Sequence, residues 1–180
     1  MQTVRQEGTT IQTATAGDVL RQAHELTFTC LGMNGLLDRT ATWSTNDRSL
    51  VFRLQYGSRS FLFPADIGRV SENRLIQQGN ALRADVLLAP HHGSRTSTGE
   101  DLLTAVNPAL IVVSTGQRRL GTLPDPEHLR RWREKKILPL ITGQAGTITC
   151  RTGGKHLHVS TFTGERYVLD GSNGEFVRER

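Results

Sequence analysis

Cysteine is scarce in this sequence: only Cys30 and Cys150 occur among its 180 residues. No Cys-x-x-Cys pair and no Cys/His finger spacing is present, which excludes a zinc-finger type of metal site. Both cysteines lie in apolar stretches that are typical of strands, "LTFTCLG" and "GTITCRT". Free cysteines in such surroundings are usually core residues, and a disulfide between these two requires neighbouring strands.

Long apolar runs and long runs of like charge are absent as well. No stretch approaches the 18 apolar residues of a membrane-spanning helix, and the polar first residues exclude a signal peptide as written. Aromatic residues make up 6%, charged residues 22% and hydrophobic residues 36% of the chain. That composition is typical of a globular protein, and the length fits one domain.

Positive charge is in excess, with a formal net charge of +5 at pH 7. One interpretation is a solubilising surface. The other is a polyanionic partner, because a basic surface attracts phosphate backbones irrespective of base sequence.

The order of predicted elements is strands first, then alternating strands and helices, which favours a mixed sheet or two sheets with helices outside. "SLVFRLQYG" and "SRSFLFPAD" are predicted to form a hairpin around the Gly57-Ser58 turn. "ADVLLAP" and "ALIVVSTG" are continuous apolar runs, typical of strands covered on both faces. Helices are predicted in "GRVSENRLIQQGN", "TSTGEDLLTAVN" and "DPEHLRRWREKK". We expect Ser97 or Thr98 to cap the second helix and Asp125 to cap the third.

Polar residues follow two of these strands directly. "SFLFPAD" ends at Asp66, and "DVLLAP" is followed by His91 and His92. If the strands are parallel, both tips emerge at the carboxyl edge of one sheet, where α/β folds place ligand sites. A carboxylate and an imidazole there can serve as metal ligands. Alternatively, Asp66 forms a turn or caps a helix, and the histidines hydrogen-bond backbone.

Several segments in one order carry a family resemblance: "SLVFRLQYGSRSFLFPADI", "ADVLLAPHHGSRTST", "LLTAVNPALIVVSTG", "LPDPEHLRRW" and "GQAGTIT". Together they resemble the C-terminal part of the metallo-β-lactamase-like domain of the ComEC family of DNA-internalization competence proteins. The resemblance implies an α/β (α+β) fold, an αββα sandwich that lacks its early ligand-bearing part. We expect residues 1–160 to form the C-terminal portion of this domain and residues 161–180 an edge strand or tail.

Site residues follow from the resemblance position by position. It implies Asp66 and His91 as metal ligands, with His92 as a catalytic residue, although the register of the two histidines stays open. The implied cofactor is a divalent metal, Mn or Zn, when the ligand set is complete. Ser94 and Thr96 match the loop that meets an anionic substrate. Arg95, Arg118 and Arg119 are further candidates for DNA contacts, while Arg130, Arg131 and Arg133 either contact DNA or form a solvated helix face.

The sequence departs from the family pattern in three places. The H-x-H-x-D-H cluster that supplies most metal ligands is absent. Ala65 stands where the family often has glycine, and Leu123-Pro124 where it often has His-Pro. The chain is therefore either a fragment whose ligand-rich half is missing or a degenerate homologue without metals. A half fold would leave the apolar face of one sheet uncovered.

Three functions compete on these grounds. The first is metal-dependent DNA hydrolysis; the second is a metal-free DNA-binding module. The third is a structural half that acts with the missing upstream half or the membrane channel portion of the same protein, or as a homo-oligomer. As part of a competence channel, the chain would lie in the periplasm or at the outer face of the inner membrane.

Overall fold

The computed structural model describes residues 13–32, 44–79, 81–117, 122–169 and 174–179, which form two β-sheets and a set of helices. The strands are β1 (Val19–Ala23), β2 (Leu26–Gly32), β3 (Val51–Tyr56), β4 (Arg59–Phe63), β5 (Val86–Leu88), β6 (Leu110–Val113), β7 (Leu138–Ile141), β8 (Ile148–Thr152), β9 (Leu157–Thr161), β10 (Arg166–Leu169) and β11 (Phe176–Arg178). The α-helices are α1 (Arg69–Gln77), α2 (Glu100–Val106), α3 (Pro126–Glu134) and α4 (Thr142–Ala145). Short 3₁₀ turns cover Asn46–Arg48 and Pro90–Gly93.

The larger sheet has seven strands in chain order, β1 to β7. Strands β1 to β4 form an antiparallel meander, and β4 to β7 run parallel. The smaller sheet is antiparallel, in the order β11-β10-β9-β8. The mixed α/β fold and the β3–β4 hairpin predicted from the sequence are thereby confirmed.

Helices cover one face of the larger sheet, and the smaller sheet packs on the other. On the helical side, Leu62, Leu87 and Ile111 pack with residues of α1, α2 and α3, among them the fully buried Trp132. On the inter-sheet side, Val86, Leu110 and Leu140 pack with Leu157, Val159 and Leu169. The layers are thus helix, sheet and sheet in the described part of the chain.

The outer face of the smaller sheet is polar and exposed. Alternation along β9 places Leu157 and Val159 in the core and His158 in solvent. Arg151 and Arg166 are exposed on the same outer face. Residues from 161 onward supply β10 and β11, with β11 at one edge of this sheet. Cys30 and Cys150 are free cysteines in different sheets, and burial raises the pKa of the Cys150 thiol to about 11.

The antiparallel half of the larger sheet has an apolar face that the smaller sheet leaves open. Phe28 and Phe52 stack there with ring centroids 5.0 Å apart, and Leu54 is half-buried beside them. Phe63 is 37% exposed. A groove of about 630 Å³ runs along this face; β8 forms its other wall through Ile148 and Cys150. Within the described ranges, this apolar face is left partly open by the smaller sheet.

One corner joins the two sheets directly. The turn between β3 and β4 meets the turn between β8 and β9, where the Ser58 hydroxyl donates to the Gly154 carbonyl at 2.8 Å. The Arg59 guanidinium donates to the Lys155 carbonyl at 2.7 Å and lies 3.4 Å from the Asp85 carboxylate. Gly57 lies directly against Gly154. None of the helices in the described part of the chain combines the length and apolar character of a membrane span.

Candidate functional site

Asp66 and the histidine pair lie side by side because β4 and β5 are parallel neighbours. Asp66 comes three residues after the end of β4, and His91 three residues after the end of β5. The amide of His91 donates to the Ala65 carbonyl at 3.1 Å, which ties the two loops together. The predicted meeting of these strand tips at the carboxyl edge of one sheet is confirmed.

Left-handed backbone conformations concentrate in these two loops. His91 has φ 48° and His92 φ 56°, with Ala65 at φ 52° and Thr98 at φ 53°. Residues other than glycine rarely adopt such angles, and each costs on the order of 1–3 kcal/mol that the surrounding structure must offset. The conformation of Ala65 also gives a physical reason for glycine at this position in the resembling family. Strain of this kind clusters at functional sites.

The two imidazoles point to different neighbours. Nε2 of His92 lies 3.8 Å from Oδ1 of Asp66, and both side chains are 47% exposed. Nε2 of His91 lies 3.5 Å from Nδ2 of Asn46. The geometry therefore pairs Asp66 with His92 and turns His91 towards the Asn46 turn. That turn is held on α1 by Ser71, whose hydroxyl donates to Oδ1 of Asp47 at 3.0 Å.

A cleft of about 940 Å³ opens beside these groups. Its lining combines the carboxylate and imidazoles with hydroxyl side chains from three loops and from the start of α4: Asp66, His91, His92, Ser94, Ser114, Thr115, Thr122 and Thr142. Thr142 also fixes the loop after β6, since its hydroxyl accepts from the Thr115 amide at 2.8 Å and donates to backbone carbonyls. The cleft is open and polar, as a site for a charged, hydrated substrate requires.

Three of the predicted nucleic-acid contacts lie on the loop after the histidines, and the other two fall outside the described residues. Ser94 lines the cleft, and its hydroxyl lies 3.2 Å from that of Thr96. Arg95 and Thr96 are exposed on the same loop. Arg118 and Arg119 lie outside the described residues.

The arginines of α3 divide between surface and interior. Arg130 is exposed and forms ion pairs with Glu127 and Glu134 of its own helix. Arg131 turns inward: its Nη2 donates to the Thr98 carbonyl at 3.0 Å, and its side chain is 22% exposed. Arg131 therefore binds the loop that follows the histidines and is not part of a solvated helix face.

The cap of α2 differs from the predicted one. Gly99 is the capping residue, and the carboxylate of Glu72 on α1 accepts from the Thr98 amide at 2.5 Å and the Gly99 amide at 2.8 Å. The prediction of Ser97 or Thr98 as the cap was wrong. The Ser97 hydroxyl donates instead to the carbonyls of Pro90 and Ser94. The prediction of Asp125 as the cap of α3 is confirmed, since its carboxylate accepts from the Glu127 amide at 2.9 Å.

Buried groups from α3 support the histidine turn from below. His128 is 3% exposed and hydrogen-bonds the backbone of Gly93; burial lowers its pKa, and the charge of Arg131 acts in the same direction. A Cβ on Gly93 would lie 2.6 Å from Cβ of Pro124 and 3.3 Å from the Trp132 ring. The buried roles of Glu72, Arg131 and His128 were not predicted, because each lies in a polar helical stretch that is typical of a surface; for Arg131 the sequence indicates only a DNA contact or part of a solvated face.

The described residues alone do not make a complete metal site. Asp66 and His92 are suitable donors, but no group of three or more His, Cys, Asp or Glu residues in the described ranges is arranged to hold an ion. Structural and catalytic zinc sites use at least three protein ligands. The described residues therefore offer one oxygen and one nitrogen donor on one side of an open cleft, which is fewer than such a site requires.

Taken together, the fold and cleft define a two-sheet α/β protein with a carboxylate–imidazole pair at the carboxyl edge of parallel strands. Sequence comparison relates the chain to parts of bacterial competence proteins. It is 31% identical over 151 residues to ComE operon protein 3 of Bacillus subtilis (strain 168), covering 84% of this chain and 19% of that protein. It is 32% identical over 104 residues to Competence protein ComA of Neisseria gonorrhoeae, covering 57% of this chain and 15% of that protein.

A third relative is Recombination protein 2 of Haemophilus influenzae, 31% identical over 106 residues that cover 57% of this chain and 13% of that protein. The chain thus spans less than a fifth of the length of these relatives. No protein-family model matches the sequence. Among solved structures, a fragment (1-254) of diflavin flavoprotein A 5 from Nostoc sp. PCC 7120 covers 86% of this chain and is itself covered to 66%, with a TM-score of 0.39 and 16% identity. That similarity is too low to bear on function.

Proposed function

We propose that this chain is the C-terminal portion of a metallo-β-lactamase-like domain in a DNA-uptake competence protein. Within that domain it contributes Asp66 and one or both histidines to a metal-dependent site for DNA hydrolysis. The observation that supports this most strongly is the pairing of Asp66 with His92 on adjacent parallel strand tips. The relatedness to competence proteins supports the DNA-uptake context. In such a channel the domain would lie on the outer side of the cytoplasmic membrane.

The proposed division of labour follows the geometry of the cleft. Asp66 and His92 hold a divalent cation, Mn or Zn, from one side, and the remaining ligands come from a part of the protein beyond this chain. His91 is the further candidate ligand, with its ring oriented by Asn46. The hydroxyls of Ser94 and Thr115 supply hydrogen bonds to a phosphodiester, and Arg95 supplies positive charge at the rim.

Paramagnetic broadening by Mn²⁺ in NMR spectra tests the metal contribution, because it detects weak binding by an incomplete donor set. We expect the amide signals of Asp66, His92 and Ser94 to broaden selectively at submillimolar Mn²⁺. Asp66→Asn should abolish this effect. Asp101→Asn is the matched control, since Asp101 is an exposed acid on α2.

Two results would contradict the metal proposal. One is the absence of selective broadening at the cleft in the unaltered chain. The other is equal broadening in Asp66→Asn and Asp101→Asn, which would indicate only diffuse attraction to surface carboxylates.

DNA binding has its own test, fluorescence anisotropy with a labelled single-stranded oligonucleotide. Contacts to the phosphate backbone should weaken by at least tenfold when salt rises from about 50 to about 200 mM. Arg95→Ala should reduce the affinity and the salt slope, whereas Arg21→Ala, at an exposed position on β1, serves as the matched control. An affinity that does not change with salt would rule out this mode of DNA contact.

The open apolar face favours a second candidate function. On this alternative the chain binds no metal itself and acts by packing against another part of the assembled protein. Phe28, Phe52, Leu54 and Phe63 form one apolar face rather than scattered single hydrophobic residues. Exposed apolar faces of this kind mark interaction sites. On this proposal the missing upstream half of the same protein, or a second copy of the chain, covers it.

Binding of the dye ANS and sedimentation velocity test whether the open apolar face is an interaction surface. We expect the chain to bind ANS and to self-associate at micromolar concentration, and Phe63→Gln to weaken both. Val70→Gln is the control, because Val70 is 59% exposed on the helical side. A monomer that binds no ANS, or equal effects of the two substitutions, would contradict the proposal.

A further inference from the structure

Glu72 is a fully buried carboxylate with no place in the proposed chemistry. It is 1% exposed, and it lies on α1, which begins three residues after Asp66. Its two oxygens accept the amide hydrogens of Thr98 and Gly99, at 2.5 and 2.8 Å. A carboxylate in such a place is costly to bury unless it is fully hydrogen-bonded and faced by positive charge.

The surroundings of Glu72 provide that compensation. Burial raises its pKa, while the hydrogen bonds from Gly99 and Thr98 and the charges of Arg69 and Arg131 act to lower it. Arg131 also donates to the Thr98 carbonyl from the opposite side. Thr98 is thus held through both its amide and its carbonyl, in a left-handed conformation with φ 53°.

From Thr98 the restraint reaches the histidine turn through short steps. The neighbouring Ser97 is fully buried, and its hydroxyl donates to the Pro90 carbonyl at 2.7 Å. The Ser94 amide closes the turn on the His91 carbonyl at 3.0 Å. The amide of Arg69 on α1 donates to the Thr96 carbonyl at 3.1 Å. The helix that begins after Asp66 therefore holds this segment at Thr96, Thr98 and Gly99.

We propose that Glu72 is a positioning residue that locks the His91-His92 turn against the Asp66 loop by fixing Thr98 and Gly99. This role rests on the proposed function, because its effect is to set the distance between the Asp66 carboxylate and the His92 imidazole. The order that Glu72 imposes on the loop is measurable without any metal.

The experiment is amide hydrogen exchange by NMR on the full chain, with ring ¹⁵N spectra of His91 and His92. Glu72→Gln preserves volume but offers one acceptor to two N–H groups, so one amide is left unpaired. We expect the amides of His91 and Ser94, which Glu72 does not touch, to exchange about tenfold faster or more. We also expect the two ring signals to shift. The control is Val106→Ala, a fully buried position at the other end of α2 that removes packing without touching the loop.

The positioning role of Glu72 is supported if the amides of His91 and Ser94 exchange faster in Glu72→Gln but not in Val106→Ala, while both variants lose a similar amount of stability in urea. Unchanged exchange at these amides, or an equal increase in both variants, overturns it. If Glu72→Gln does not fold, Arg131→Met removes the opposite tie to Thr98, and the same amides must then exchange faster for the proposal to stand. Missing Mn²⁺ broadening in the unaltered chain would defeat the metal proposal and leave the exchange result to decide on Glu72.

Discussion

The two halves of the seven-stranded sheet differ in how their faces are covered. The parallel half, β4 to β7, has helices on one face and the smaller sheet on the other, except at Phe63 at the end of β4, which continues the open face. The antiparallel half, β1 to β3, presents an open apolar face with Phe52 and Leu54, while Arg53 and Gln55 alternate onto the opposite face. The candidate site lies at the carboxyl edge of the half that is covered on both faces.

This contrast separates two requirements of a functional domain. Strained loops need a rigid support, and the doubly covered strands provide it beneath Ala65 and the His91-His92 turn. An interaction surface instead needs apolar area that the chain has not already buried, which the antiparallel half retains. The two proposed functions therefore depend on different halves of one sheet, and substitutions can separate them.

The largest expected effect contrasts two leucines on the same face of this sheet. Leu110 of β6 is fully buried between the sheets, whereas Leu54 of β3 is half-buried along the groove. We expect Leu110→Ala to lower the free energy of unfolding by about 2–5 kcal/mol because it leaves a cavity. Leu54→Ala should cost about 1 kcal/mol, since its site is still in contact with water. Urea denaturation measures both, and equal losses would show that the antiparallel half is as well covered as the parallel half.

A smaller effect is expected at the turn that the parallel half supports. Gly93 and Gly79 both have left-handed backbones, at φ 74° and 67°, but only Gly93 has close neighbours that a Cβ would meet. Alanine at position 79 should cost about 1–2 kcal/mol from backbone strain alone. Gly93→Ala should cost more and should shift the ring signals of the adjacent His92. Equal losses of stability in urea would mean that the contact with Pro124 and Trp132 relaxes freely.

The smallest effect is a pH dependence that arises beneath the same turn. Burial holds the pKa of His128 below its ordinary value of 6.5, so the unfolded chain binds a proton more readily than the folded one. The stabilising contribution is therefore complete above pH 6.5 and is lost as the pH falls below it. We expect the urea midpoint to fall less between pH 7.5 and 5.5 in His128→Gln than in the unaltered chain. Substitution of the exposed His156 is the control, and an unchanged slope in His128→Gln would contradict the assignment.

The strand tips could be predicted from the sequence because local patterns determine them. Continuous apolar runs ending at Asp66 and at His91 indicate buried strands with polar ends, and parallel pairing then brings the ends together. The choice between His91 and His92 could not be predicted, because it depends on side-chain directions in a left-handed turn.

The supporting residues could not be predicted for a related reason. Glu72 lies in the polar stretch "VSENR" and looks like a surface residue until α2 is packed against α1. Arg131 lies among other arginines, and only the tertiary position of Thr98 distinguishes it from Arg130. A local sequence pattern predicts that a segment is helical and polar. It does not predict the partner of a buried charge, because that partner lies in a distant part of the chain.

The contact of Gly57 with Gly154 has a consequence for the open groove. At this corner the two sheets touch backbone to backbone, because neither residue carries a side chain. A Cβ on Gly57 would lie 2.8 Å from the Cα and carbonyl oxygen of Gly154. These two glycines therefore let the two turns approach each other closely, and alanine at position 57 would require the turns to move apart.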